Sequence, residues 1–168
     1  MVSNVHPLAV AFVAVAMAAA TTHAAAQNVA QIKRASGGDN CVGCNLFQAD
    51  FSGKTLKGKT FSHARLRQAD LSLGVFTASR FDHADLRDVN FYGALAGHAD
   101  FTGADLRNAS LVGGYFQAAR FAHAKLDGAN LGGADLIGAL GLNQAMLSTA
   151  CGDAATRLPS GLDVPACK

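Results

Sequence analysis

A five-residue period constrains this chain more than any other feature of its sequence. From residue 46 to residue 136, every fifth position holds Leu or Phe, with Ala96 as the one exception. These central positions are Leu46, Phe51, Leu56, Phe61, Leu66, Leu71, Phe76, Phe81, Leu86, Phe91, Ala96, Phe101, Leu106, Leu111, Phe116, Phe121, Leu126, Leu131 and Leu136. An α-helix repeats every 3.6 residues and a flat strand every two, so neither carries this period. A fixed short period over a long segment is typical of a solenoid of stacked coils.

A small residue precedes most central positions by two, and the exceptions are Cys44, Lys54, Lys59 and Val89. In an extended chain, residues two apart point the same way. The small and the central residue are therefore predicted to face inward, and the residue between them outward. The remaining two residues turn a corner, where Gly is frequent.

A second period of twenty residues aligns equivalent repeats, as in the series Phe61, Phe81, Phe101 and Phe121. It predicts four repeats per coil and stacking at roughly the 4.8 Å strand spacing. Such stacking would leave a solid interior without a ligand pocket. The composition agrees, because all twelve acidic residues are Asp and none is Glu. Asp favours turns and Glu favours helices, so this composition argues against a helical bundle. The net charge of +2 neither demands nor excludes an acidic partner.

The first 26 residues are expected to be a secretory signal peptide and not part of the fold. Residues 8–20 form an apolar run, and Ala24, Ala25 and Ala26 precede Gln27, which predicts cleavage after Ala26. The run is short for a membrane span, and an uncleaved anchor is the alternative. We therefore expect a periplasmic or secreted bacterial protein with no integral membrane segment after cleavage. Export also makes disulfides permissible.

Residues 84–88 (ADLRD), 104–108 (ADLRN) and 134–138 (ADLIG) resemble the A-(D/N)-L-x-x repeat of the pentapeptide-repeat family, in its exported proteobacterial type. The resemblance implies an all-β fold: a right-handed quadrilateral β-helix of about five coils over residues 44–140. Residues 27–43 would form an N-terminal linker or cap. Residues 141–168 would form a C-terminal cap with a short helix over residues 144–150, begun by Asn143 as N-cap.

Two departures from the pattern carry expectations of their own. Lys54 and Lys59 occupy small inward positions, and an unpaired Lys is costly in a core, so the first full coil is expected to be irregular or splayed. Ala96 occupies a large central position, and the chain around it could shift register so that Leu95 turns inward.

Four cysteines allow three pairings, and the sequence alone does not choose among them. The rod that the resemblance implies would place Cys41 and Cys44 at the top and Cys151 and Cys167 at the bottom. That separation would exclude top-to-bottom pairs and a four-cysteine zinc site. A disulfide between Cys151 and Cys167 is expected, whereas pairing of Cys41 with Cys44 stays open because so close a pair is easily strained.

The candidate chemistry is sparse. Cys41 and Cys44 have the spacing of a thioredoxin-like redox motif, but that motif belongs in a βαβ unit. His63, His83 and His123 share one column, with Gly103 in the gap, yet a metal site needs further ligands. Solvent-exposed histidines are the simpler interpretation.

The aspartates and basic residues indicate a mixed surface. Asp85, Asp105 and Asp135 lie at outward positions, and Arg87 and Arg107 follow the first two. Arg80, Asp100 and Arg120 alternate in another column, which suits ion pairs. Some members of the family mimic duplex DNA with an acidic face, and this interleaving argues against that role. The basic residues Lys54, Lys57, Lys59, Arg65 and Arg67 are read as a solvated surface.

One strip is less expected: Val75, Leu95 and Tyr115 are outward positions twenty residues apart. It is a possible interaction strip. The sequence therefore predicts no catalytic, cofactor or metal site and no nucleic-acid partner. The leading hypothesis is a non-enzymatic exported scaffold that presents a rigid face to an unknown protein partner or to itself. The alternative is a small redox or metal-binding envelope protein that uses Cys41 and Cys44 or the His63/His83 column.

Overall fold

The structure is a computed structural model and describes residues 27–168. The predicted signal peptide, residues 1–26, lies outside the described residues. Within them, no helix is both long enough and apolar enough to cross a bilayer.

Single parallel β-bridges between residues twenty apart organise the described chain. They run without interruption from Asn45↔Arg65 to Arg120↔Leu140. The bridged residues form four columns, each of which marks one face of a β-helix. We number the faces by their outward residues: the first holds Asn45, Arg65, Asp85, Asp105 and Lys125; the second Asp50, Asp70, Asn90, Ser110 and Asn130; the third Thr55, Val75, Leu95, Tyr115 and Asp135; the fourth Thr60, Arg80, Asp100, Arg120 and Leu140. Each face is one bridge wide in every coil, and no longer strand forms among residues 27–168.

The corners between faces are tight turns of left-handed backbone. The second corner residue has a positive φ even where it is not Gly, as at Leu73 and His83, both with φ of 57°. A backbone hydrogen bond closes nearly every turn, for example from the Ala84 N–H to the Phe81 carbonyl at 3.0 Å, and at the Leu56 turn the Lys59 N–H donates to the Ser79 hydroxyl instead. Further bonds link the coils: the Phe81 N–H donates to the Asp100 carbonyl at 2.7 Å. The corners thus keep their backbone groups paired, which lets the chain turn without leaving unsatisfied polar groups.

The core consists of ladders of stacked apolar side chains, two of which repeat one residue type, from Leu46 to Leu126 and from Phe61 to Phe121. The rings of Phe61, Phe81, Phe101 and Phe121 are stacked with centroids 5.1, 5.3 and 5.1 Å apart. That separation is close to the coil spacing set by the hydrogen bonds between neighbouring strands. All central residues from Leu46 to Leu136 are buried. The interior is therefore solid, and no cavity is found among residues 27–168.

The expected splaying of the first coil is wrong. The Lys54 and Lys59 carbonyls accept regular 2.8 Å hydrogen bonds from the Val75 and Arg80 N–H groups of the next coil. Lys54 is exposed, and the end of the half-buried Lys59 side chain lies beside Gly38. The Lys54 side chain is therefore solvated and the Lys59 ammonium lies against the N-terminal segment at Gly38, so neither ammonium enters the core.

The alternative of a register shift at Ala96 is also wrong. Ala96 is fully buried, Leu95 stays on the surface, and Leu95 bridges both Val75 and Tyr115. The large residues Phe76 and Phe116 occupy the same inward column one coil above and one coil below Ala96. A small residue between two rings is accommodated without moving the backbone.

The top of the rod is closed by helix α1, Val29–Ser36. The sequence had predicted only a linker or cap over residues 27–43. The Asn28 side chain accepts from the Gln31 N–H and begins the helix. Ala35 is buried and Ile32 packs against the core. The Gln31 side-chain oxygen accepts from the Asn45 N–H at 2.7 Å, which satisfies an upward-pointing donor of the first face.

The lower end is closed by residues 141–168. Asn143 begins helix α2, Gln144–Leu147, which is shorter than the predicted residues 144–150. Leu147 is fully buried, and Leu142, Met146 and Leu158 pack on the core. The chain then adds one more residue to the second face, through the bridge Asn130↔Cys151, and one to the third face, through Asp135↔Arg157. A disulfide joins Cys151 to Cys167 and ties the last residues to this end.

Candidate functional site: an apolar face of the rod

The third face carries the predicted strip, and the bridges align it as one column. Leu95 is 42% exposed and Tyr115 is 53% exposed, while Val75 is partly buried. Their backbones are hydrogen-bonded coil to coil, because the Leu95 N–H donates to the Gly74 carbonyl and the Tyr115 N–H to the Ala94 carbonyl, at 2.9 and 2.8 Å. The outward side chains therefore stand on a rigid, evenly spaced support.

The corner between the second and third faces extends this apolar surface. Leu73 is 64% exposed and Tyr92 is 52% exposed. The Leu73 side chain lies over Gly93 of the next coil, where a Cβ atom would come within 2.9 Å of a Leu73 methyl carbon. We call the surface formed by Leu73, Val75, Tyr92, Leu95, Val112 and Tyr115 the apolar face.

The corner residues Leu73 and Tyr92 were missed because the sequence analysis considered only outward positions. A different signal could have found them. Residues 71–78, 91–98 and 111–118 contain no Lys, Arg, Asp or Glu, although 26 of the 168 residues are charged. Three consecutive coils are thus free of charge on one side of the rod.

The first face is charged, in contrast. Arg87 donates two hydrogen bonds to Asp85, both 2.7 Å, and Arg107 donates two to Asp105, at 2.8 and 2.6 Å. The hydrogen bonds from Arg87 hold the pKa of the Asp85 carboxyl below its usual value, against an opposing effect of burial. Arg107 lowers the pKa of Asp105 in the same way. These aspartates are held as ionised partners of arginine, which is unlike a poised acid or base.

The fourth face forms ion pairs that differ in part from the predicted alternation. Arg120 approaches Asp100 at 4.0 Å, as the column suggested. Arg80 instead pairs with Asp82 at the adjacent corner, at 3.1 Å. Asp82 also accepts from the Ser62 hydroxyl of the coil above, at 2.5 Å.

The histidine column is stacked rather than convergent. The His63 and His83 rings are parallel within 10°, with centroids 5.2 Å apart. The His83 ring leans over Gly103, and His123 lies one coil further down. Across residues 27–168, no group of three or more His, Cys, Asp or Glu side chains is arranged to hold a metal ion.

Cys41 and Cys44 form a disulfide, and no free cysteine exists among the described residues. Cys41 is 1% exposed and Cys44 is 6% exposed. Reactive cysteines in redox proteins are accessible to an attacking thiol, whereas this pair is packed beneath α1. The geometry favours a structural role at the top of the rod.

Comparison with known proteins identifies the repeat. The family model for pentapeptide repeats matches eight copies, over residues 40–77, 84–119 and 115–151, which is more than half of the chain. A search of the curated proteins found no significant match.

Solved structures of pentapeptide-repeat proteins are similar to this chain. HetL of the cyanobacterium Nostoc sp. strain PCC 7120 is 25% identical over 79% of this chain, with a TM-score of 0.44, and this chain spans 57% of HetL. A thylakoid-lumen protein of Arabidopsis thaliana is 30% identical over 59% of this chain and 65% of its own, with a TM-score of 0.32. Rfr23 of the cyanobacterium Cyanothece 51142 is 22% identical over 77% of this chain and 97% of its own, with a TM-score of 0.34.

The five-residue period, the four-faced β-helix and the family match lead to one conclusion: the chain belongs to the pentapeptide-repeat family.

Proposed function

We propose that this protein is a non-enzymatic, exported interaction module that binds a protein partner through its apolar face. The observation that carries the proposal is the juxtaposition of Leu73, Tyr92, Leu95 and Tyr115, each between 42% and 64% exposed, on a side of three coils that carries no charge. Large exposed apolar patches on soluble proteins often mark interaction surfaces. The right-handed, five-coil rod with two caps is the rigid support in this proposal.

The chemistry of the other surfaces supports a binding role over a catalytic one. The aspartates of the first face are engaged by arginines, and Asp50 and Asp70 accept hydrogen bonds from the N–H groups of Ser52 and Ser72 in their own turns. These carboxylates stabilise corners of the rod. A flat support with a solid interior suits recognition of another surface, whereas most small-molecule sites are concave.

Site-specific photo-crosslinking in living cells tests the proposed function. A photoreactive residue replaces Leu95 on the apolar face, and a matched control replaces Asp100 on the fourth face. We expect a discrete crosslinked protein species from position 95 that is absent from position 100. The double variant Leu95→Asp with Tyr115→Asp, crosslinked from position 75, should lose that species. Equal crosslinking from both faces, or none from either, would refute an interaction through this face.

Export is part of the same proposal, and it has a separate test. Sequencing the N-terminus of the protein purified from cells should find Gln27 as the first residue, with the protein in the periplasmic or secreted fraction. A chain that keeps residues 1–26 and fractionates with the cytoplasm would contradict export while leaving the apolar face untouched.

A further inference from the structure

The occupant of the apolar face follows from its shape and its lack of charge. Its four most exposed side chains each offer on the order of 200 Å² of surface, about half of it exposed, which makes a patch on the order of 400 Å². Because residues 71–78, 91–98 and 111–118 contain no Lys, Arg, Asp or Glu, charge attraction cannot select a partner at the centre of this face. The surface that matches it must itself be flat and apolar, and every copy of the chain carries one.

The apolar face also has a ridge and a notch in one column. The corner residues Gly53, Leu73, Gly93, Gly113 and Gly133 follow one another coil by coil. Leu73 is the ridge, since its side chain covers Gly93. Gly113 is the notch: no atom lies within 4 Å of the position that a Cβ would take there.

Consider a two-fold axis that lies between two apolar faces and runs perpendicular to the rods at the level of Leu95. This axis brings the ridge and the notch together. Turning a second copy end for end about this axis moves the coil of Leu73 to the level of Gly113. The Leu73 ridge of each copy then fills the Gly113 notch of the other, and Tyr92 meets its own counterpart. This reciprocal arrangement is what a closed two-fold interface requires.

The charges that border the apolar face favour the same orientation. Lys54 and Lys57 are exposed in the coil above it. Below it, the buried Asp135 pairs with the exposed Arg157 of the following coil, where Asp153 is also exposed, for a net charge of one negative. Antiparallel rods set the basic end of one copy beside the acidic end of the other, whereas parallel rods would set lysine against lysine.

We propose that two copies of this chain pair antiparallel through their apolar faces, with Leu73 of each copy seated over Gly113 of the other. The proposal rests on the proposed interaction role of this face and names its partner. With its margins, the contact buries on the order of 1,000 Å² over both copies, which is at the small end of specific interfaces. We expect a reversible dimer that forms at micromolar concentration.

Sedimentation equilibrium of the purified full chain tests self-association. The protein should shift from monomer to dimer across the micromolar range, and Leu95→Asp should remain monomeric. Gly113→Gln fills the notch and should weaken the dimer roughly tenfold or more. Glutamine is compatible with this corner, because Gln48 and Gln68 have φ of 54° and 59° at equivalent positions.

Gly43→Gln is the matched control, since Gly43 has a φ of 65°, against 64° at Gly113, and the same open space on the diagonally opposite corner. It should leave the dimer unchanged. A wild-type chain that stays monomeric throughout, or equal effects of the two glycine variants, would overturn the pairing.

Crosslinking with a short bismaleimide tests the orientation. Val75→Cys and Tyr115→Cys should each give little homodimer alone and a strong 75–115 crosslink when mixed. Efficient 75–75 and 115–115 crosslinks would show parallel rods and reject the antiparallel model. If the purified chain is monomeric while position 95 captures a different protein in cells, self-association fails and the interaction role survives. If neither occurs, both fail.

Discussion

At the residue scale, the volume of each inward column is filled jointly by side chains of neighbouring coils. A single repeat does not have to fill its own level. Ala96 is an exception to the Leu/Phe rule, yet it is completely buried, and no pocket is found among the described residues. Phe76 and Phe116 lie above and below it, and both ring edges meet Phe91, with centroids 6.0 Å away. The volume missing at Ala96 is therefore supplied by the two phenylalanines of the same column.

Restoring the repeat at this position should consequently harm the protein. Ala96→Leu adds three carbons to a filled interior and should lower the free energy of unfolding by about 1–3 kcal/mol. Chemical denaturation measures the difference, with the volume-conserving Leu111→Met as control, which should cost less than about 1.5 kcal/mol. An increase in stability in Ala96→Leu would mean that unfilled space surrounds Ala96.

The arginine–aspartate pairs predict an acid dependence. The folded-state pKa values of Asp85 and Asp105 are lowered, chiefly by hydrogen bonds from Arg87 and Arg107. A lowered folded pKa contributes stability that is present above the unfolded value of about 3.9 and is lost as the pH falls through the folded value. The melting temperature should therefore drop between pH 5 and acid conditions below about pH 4. Arg87→Gln should make this drop shallower, and an unchanged pH profile in that variant would contradict the assignment.

At the element scale, the faces were predictable and the ends were less so. The period of twenty assigns each outward residue to a column, and Val75, Leu95 and Tyr115 align as expected because one register satisfies every coil. Helix α1 escaped prediction, since eight residues are few for a helix that is stabilised by the packing of Ile32 and Ala35 rather than by propensity. Asn28 before it and two glycines after Ser36 were the available signals.

The lower cap depends on a covalent tie. The Cys151–Cys167 disulfide closes a segment of sixteen residues, and loop-closure entropy alone makes such a cross-link worth about 3 kcal/mol. Replacing both cysteines by alanine should expose the tail to limited proteolysis and lower stability by about that amount. The same change at Cys41 and Cys44 closes a much shorter segment and should cost less. Equal losses would show that the tail is held by packing and not by the bond.

At the scale of the whole molecule, the rod has two different ends. Backbone groups at the top of the second and third faces point away from the coils below, and no described residue bonds to the N–H of Asp50 or Thr55. Such open edges invite pairing with another chain, and lysines commonly prevent it. The two lysines that looked out of place in the core, Lys54 and Lys59, stand at this edge.

Removing these lysines should let rods stack end to end. We expect Lys54→Ala with Lys59→Ala to form concentration-dependent oligomers larger than a dimer, visible by light scattering. Lys57→Ala, at a corner of the same coil, serves as control and should not. If the double variant behaves like the wild type, helix α1 and its flanking residues already protect the top edge.

The return of the chain to the same face after twenty residues restricts how this gene can lengthen or shorten. Duplicating or deleting one whole turn keeps every column continuous and only changes the rod's height. Adding a single repeat rotates all later residues by a quarter turn, so that Tyr115 would continue the column of Arg80 and Asp100 instead of that of Leu95. Natural length variants that keep the surface intact should therefore differ in multiples of four repeats.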